Sequence, residues 1–239
     1  MRNYFTLGGR DSRDFGLYIN GQGVFGSPAR TINYITVPGR DGDLISTVTR
    51  LQNRSLSYND CFIYRDFSSN MTALRSYLLS DPGYRRLVDT YDPDHYLMVS
   101  FAGPINLDVN VVNGVGRFTL TFNAQPQRWL LSGETATVLT TSGTITNPTL
   151  FDAKPLLRVT TTRAAASVLG VGSANITITR QGVIYIDCAS GRAYNGATPL
   201  DSYIALNTID FPVLAPGSNG ISLGTGISRV EITPRWWEV

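Results

Sequence analysis

Apolar and polar positions alternate along much of this chain with the period of two that puts every second side chain on one face of an extended backbone. In residues 117–124, Phe118, Leu120, Phe122 and Ala124 share a face, and Val230 and Ile232 do the same in residues 229–233. Each run is followed by a proline and then by arginine beside tryptophan: Pro126, Arg128 and Trp129 after the first, Pro234, Arg235, Trp236 and Trp237 after the second. Proline has no N–H to give a ladder, so both strands are expected to stop there. The repeated punctuation predicts two β-rich domains, residues 1–132 and 133–239, joined near Ser132 and Gly133.

Shorter apolar runs at residues 4–7, 15–19 and 32–37 predict strands, and the turn-dense stretch from Val37 through Arg40 and Asp41 to Leu44 predicts a hairpin loop. One segment has the helical period. Met71, Leu74, Tyr77 and Leu78 fall on one face, Ser68 or Ser69 can cap the start, and Asp81, Pro82 and Gly83 stop the end. Further strands are expected at residues 85–91, 96–102 and 106–112 and around Phe118, with Asn113 and Gly114 turning between the last two. The second part has no helical period. Strands at 156–161, 176–180, 183–187 and 228–233, separated by turn clusters at Gln181-Gly182 and residues 216–220, predict a β-sandwich. The expected fold is therefore mostly β, an α+β first domain with one helix and then a sandwich.

Composition sharpens this. Charged residues are 16% of the chain, against about 25% in an average domain, which favours turn-rich β-structure over helical bundles. The net charge of +2 supplies no basic footprint for nucleic acid. Lys154 is the only lysine and every other cation is arginine. Arginine is the cation favoured at protein interfaces, although codon bias in a GC-rich genome would give the same count. With no long apolar run and no signal-peptide core at the start, a soluble protein made in the cytoplasm and not inserted in a membrane is expected.

The chemistry is sparse. Gly21, Gly23 and Gly26 spell a dinucleotide fingerprint, but Ser27 and Pro28 follow where a helix should open, so a glycine loop is expected. Asp41 with Asp43, and Asp92 with Asp94 and His95, invite a metal or acid/base reading; turns carrying solvated carboxylates are the expectation, because calcium wants about six oxygens and His95 is the only histidine. Cys61 and Cys188 lie in different domains, which argues against a disulfide or a cysteine zinc site. Glu134, Glu231 and Glu238 form no glycosidase motif. The sequons at Asn53, Asn70 and Asn175 lack a secretion signal. No catalytic residue, metal ligand or cofactor is therefore assigned, and an enzyme is not expected. Trp129, Trp236 and Trp237 could stack on sugars or fill a core or interface. Arg40, Asp41, Arg128, Trp129, Arg235, Trp236 and Trp237 stand as structural or interface candidates.

Residues 5–8, 37–42, the helix leading to Asp81-Pro82-Gly83-Tyr84, and 122–134 resemble the N-terminal domain of siphophage distal tail proteins, a tail-component family of phages and prophages of Gram-positive hosts. Residues 147–159, Tyr185 to Asp187 with Ala193-Tyr194, 211–219 and 232–237 resemble the second domain of the same family. The resemblance implies a first domain related to tail-tube proteins and a galectin-like second domain. It also implies a hexameric ring at the virion tail tip, an adaptor between the tube protein and the tail-associated hub or lysin protein, with receptor-binding or baseplate proteins as further neighbours. No large insertion interrupts the second part, so the extra carbohydrate-binding module of some relatives is expected to be absent. The rival reading is a host-surface carbohydrate-binding module. Against it, the second part has no histidine and only the terminal tryptophan pair, so simple β-galactosides are expected to bind no better than millimolar.

Overall fold

The computed structural model describes residues 2–20, 26–112 and 115–239, with the backbone alone for 47–49, 106–112 and 115. The glycine-loop reading of Gly21 and Gly23 and the turn at Asn113-Gly114 lie outside the described residues. Two compact units are formed, residues 1–128 with Val239 and residues 129–238.

The first unit contains β1 (Phe5–Leu7), β2 (Arg10–Asp11), β3 (Leu17–Asn20), β4 (Arg30–Ile35), β5 (Leu44–Leu51), β6 (Arg54–Tyr64), α1 (Phe67–Leu79), β7 (Arg85–Asp89), β8 (Asp92–Ser100), β9 (Asn106–Val112) and β10 (Val115–Leu130). Its main sheet runs β2-β1-β7-β8-β10-β6-β3, with β9 also on β10; β4 and β5 form a sheet of their own. The alternation of β10 buries Phe118, Leu120, Phe122 and Ala124 against Phe5, Leu56, Tyr58 and the Met71, Leu74 and Leu78 face of α1. Phe5 stacks on Tyr58 at 5.8 Å, and Phe122 meets both rings edge-on. Gly116 is required beside the helix, because a Cβ there would lie 1.9 Å from the Phe67 ring.

Several local expectations give way. Pro126 does not end β10, which continues to Leu130. The last pair with β6 is Ala124 with Arg54, the first residue of β6, so Pro126 stands beyond that ladder and withdraws nothing from it. Strand β6 has no predicted counterpart, and its Asn59-Asp60 pair falls in mid-strand. It is a β-bulge: Phe118 pairs with Cys61 and Leu120 with Tyr58, so the alternation resets within one strand. Phe15 closes a short 3-10 helix, Ser12–Phe15, instead of opening a strand. The helix α1 is entered through Arg65 and Asp66 at positive φ, so Ser68 and Ser69 sit inside its first turn and cap nothing. Residues 92–95 open β8, and Asp92 is not a solvated turn carboxylate.

The second unit holds β11 (Thr137–Leu139), β12 (Gly143–Asn147), β13 (Leu156–Thr161), β14 (Ser167–Val171), β15 (Ala174–Ile178), β16 (Gly182–Asp187), β17 (Arg192–Asn195), β18 (Thr198–Pro199), β19 (Ile204–Leu206), β20 (Gly217–Leu223), β21 (Ile227–Thr233) and β22 (Trp237–Glu238). Sheets β11-β21-β13-β16-β17-β18 and β12-β20-β14-β15-β19 make a β-sandwich. Its core joins Leu157, Val159, Ile184, Ile186, Val230 and Ile232 of one sheet to Leu169, Val171, Ile176, Ile178 and Ile221 of the other. The turn expected at residues 216–220 is instead the start of β20, held between β12 and β14. The ladder with β12, which pairs Gly217 through Gly220 with Asn147 through Thr144, outweighs their local turn preference.

Candidate functional site

The β4–β5 hairpin leaves four large apolar residues of the first unit uncovered together. Tyr34 pairs opposite Ile45 and Ile35 opposite Leu44. Neighbouring residues on a strand face opposite ways, so each side of the hairpin presents one apolar cross-strand pair. All four are exposed, by 57% for Tyr34 and Ile45, 46% for Ile35 and 39% for Leu44. Arg40 and Asp41 lie in the exposed loop at the tip, where Thr36 donates to Asp43 at 2.8 Å. At the base, Gln52 N–H donates to the Ala29 carbonyl at 2.8 Å, and Arg54 donates to the Gly26 carbonyl. A two-stranded hairpin with neither face covered is marginal in water. The sequence signal was available in Tyr34-Ile35 and Leu44-Ile45, adjacent apolar pairs that break the one-sided alternation.

Arg128 and Trp129 fall late in β10. Arg128 Nη2 donates to Asp92 Oδ2 at 2.7 Å, while His95 Nδ1 is 2.7 Å from Asp92 Oδ1. Nearby, the buried Tyr58 hydroxyl donates to Asp89 at 2.6 Å. Burial pushes the Asp89 carboxyl above the usual range, against the opposing pull of Tyr58 and the N–H groups of Asp92 and Tyr91. Trp129 is half-buried.

The terminal cluster is built differently. Strand β21 ends at Thr233, and Pro234 and Arg235 then turn the chain, Arg235 at φ 59°. Its N–H donates to the Gly133 carbonyl at 2.8 Å, and its guanidinium reaches Asp187 at 2.6 Å. Burial alone would raise the pKa of Asp187, but Arg235 and the N–H groups of Ala189 and Ser190 outweigh it and hold the carboxyl below its ordinary value. A Cβ on Gly133 would lie 2.4 Å from the Trp236 nitrogen, so only glycine fits there. Trp236 enters the sandwich core at 6% exposure. Trp237 stacks on Phe151 at 4.4 Å and donates from Nε1 to the Asp152 carbonyl at 2.9 Å. The structure thus gathers Arg235, Trp236 and Trp237, and places Arg40 and Asp41 on a separate element from Arg128 and Trp129.

Chemical groups elsewhere are quiet. Burial pushes the Cys61 and Cys188 thiols up to about 12, so neither is a ready thiolate at neutral pH. Among the described residues no three His, Cys, Asp or Glu side chains are grouped to hold a metal. Two open depressions in the sandwich flank Phe211, one bordered by Lys154 and Ser190 and the other by Thr208 and Asn219, with Asp210 on both.

Residues 11–124 match the model of a phage tail protein RIFT-related domain. By overall structure the chain is similar to the SPP1 Dit protein, described as a paradigm of the hub adsorption apparatus in phages infecting Gram-positive bacteria. The TM-score is 0.78 at 18% identity, covering 100% of both chains. It is also similar to chains of the phage P2 baseplate in its activated conformation. With calcium the TM-score is 0.56 at 11% identity over 97% of each chain. With strontium it is 0.54 at 10% identity, covering 96% of this chain and 97% of that one. No curated protein matches the chain significantly by sequence. Residues 11–124 thus carry the phage tail protein RIFT-related domain, and over its full length the chain has the fold of the SPP1 Dit protein.

Proposed function

We propose that this protein is a structural adaptor at the tail tip of a siphophage virion or prophage particle. It forms a cyclic ring, six-fold by family resemblance, that joins the tail tube to the tail-tip hub or baseplate. Residues 1–132 chiefly supply the ring contacts, and residues 133–239 form a galectin-like sandwich. The observation that carries this reading is the exposed β4–β5 hairpin, whose four apolar residues need a partner surface that the described residues of one chain do not provide. The phage tail domain and the end-to-end likeness to the SPP1 Dit protein support the structural role. A ring also disposes of sheet edges, which are otherwise open to uncontrolled pairing. Light scattering behind size exclusion at tens of micromolar, with electron micrographs of the same sample, tests it. A closed oligomer is expected, and a strictly monomeric species without rings in particles would overturn it.

A further inference from the structure

The hairpin is one half of a contact, and the other half can be sought on the same unit. A ring built head to tail needs two different, complementary surfaces per subunit, set apart so that neither can satisfy the other within one chain. The hairpin springs from the Arg54 end of β6. At the opposite end of β6, about 30 Å away at roughly 3.3 Å per residue, lies a patch of a contrasting kind. Tyr18 on β3 and Phe62 on β6 stack at 5.6 Å. The Arg2 guanidinium sits over both and over Tyr64, at 5.3, 5.9 and 5.2 Å from the ring centres. Arg65 covers Tyr64 at 5.0 Å, and Tyr64 is still 42% exposed. Strand β3 is the edge of the main sheet.

Charge separates these two surfaces. Asp60 within the patch is already engaged by Arg117 at 2.9 Å. Arg2 and Arg65 have aromatic faces beneath them and no carboxylate partner among the described residues. A guanidinium lying flat on a ring keeps its in-plane N–H donors available for a carboxylate. The hairpin tip carries two aspartates against one arginine, and Asp41 has no ionic or hydrogen-bonded partner among the described residues. Behind that tip stand Tyr34, Ile35, Leu44 and Ile45, and behind the two arginines stand Tyr18, Phe62 and Tyr64.

We infer that the β4–β5 hairpin of one copy docks on the Arg2–Tyr18–Phe62–Tyr64–Arg65 patch of the next, Asp41 and Asp43 meeting Arg2 and Arg65 over an apolar contact. This rests on the ring reading and specifies which surface receives the hairpin. The partner is a second copy of this chain, because the acidic, apolar hairpin and the basic, aromatic patch are complementary, and the hairpin's base and the patch lie at opposite ends of β6.

Charge reversal on the full-length protein tests it. Arg2→Glu with Arg65→Glu, and separately Asp41→Arg with Asp43→Arg, should each weaken association by on the order of tenfold or more, with circular dichroism and melting unchanged. Mixing the two variants, or combining all four changes in one chain, restores opposite charges at every contact and should restore the ring. A parent ring that survives both reversals, or reversals that neither mixing nor combination repairs, overturns the docking assignment and leaves the ring reading standing. A monomeric parent overturns both.

Discussion

Arg235 is held at φ 59°, a conformation costing an ordinary residue about 1–2 kcal/mol, and the Gly133 carbonyl and Asp187 together offset that cost. It aims the two tryptophans apart. Trp236→Ala should cost about 3–5 kcal/mol, because it empties a core site. Trp237→Ala should cost only about 1–2 kcal/mol, the loss of one stacked ring and one hydrogen bond at a half-buried site. Thermal melting followed by tryptophan fluorescence checks the order; equal losses would contradict it. Two carboxylates should also titrate with opposite signs. Asp187, held below its ordinary value, contributes stability that is present above the unfolded value of about 3.9 and lost as pH falls through its folded pKa. Asp89, held above the ordinary range, contributes stability present below about pH 3.9 and lost as pH rises through its folded pKa. Denaturant titrations between pH 3 and 7 should therefore show the cost of Asp187→Asn growing with pH, while Asp89→Asn gains on the parent with pH. Slopes of the same sign would contradict either the Arg235 pairing of Asp187 or the dominance of burial at Asp89.

At the scale of elements, β6, β10 and the hairpin show where local reading succeeds. The inward face of β10 was legible because Phe118, Leu120, Phe122 and Ala124 obey one period over a long run, and α1 because Met71, Leu74 and Leu78 obey another. Strand β6 was illegible because its bulge puts Asn59-Asp60 in mid-strand, and β20 because its glycines look like a turn until β12 pairs with them. The hairpin contributes little to the monomer's own core, so Tyr34→Ser and Ile45→Ser should change monomer stability by no more than about 0.5 kcal/mol while weakening oligomer formation. Paired denaturation and light-scattering measurements separate these effects. A variant that unfolds the monomer would mean that the hairpin is packed in place.

For the molecule as a whole, the proposed role is mechanical, so its tests are assembly and the lack of turnover. The sole histidine is tied to Asp92, and both thiols are buried. Incubation with peptidoglycan or soluble glycans should therefore release no product. Cell-wall degradation abolished by replacing a single carboxylate, with the fold intact, would count against a purely structural protein. Calorimetric titration of the full chain with simple β-galactosides should give at most millimolar affinity, since Trp236 is in the core and Trp237 is covered by Phe151. Saturable micromolar binding would favour the carbohydrate-binding reading.

What the sequence determined by itself was set by short-range chemistry: period-two burial, the single amphipathic helix, the sparse reactive side chains, and the motifs shared with distal tail proteins. The remainder depends on neighbours distant in the chain. Pro126 and Pro234 look alike in sequence, yet β10 passes through the first because it has outrun β6, while the second ends β21 and sends Trp236 inward beside Gly133. Asp92 reads as a turn carboxylate until Arg128 is brought to it, and Tyr34-Ile35 reads as an ordinary strand until the fold leaves it exposed among the described residues. A residue's pattern fixes what it can bury or pair with, but the partner that makes it core, latch or free surface is chosen by packing between segments tens of residues apart.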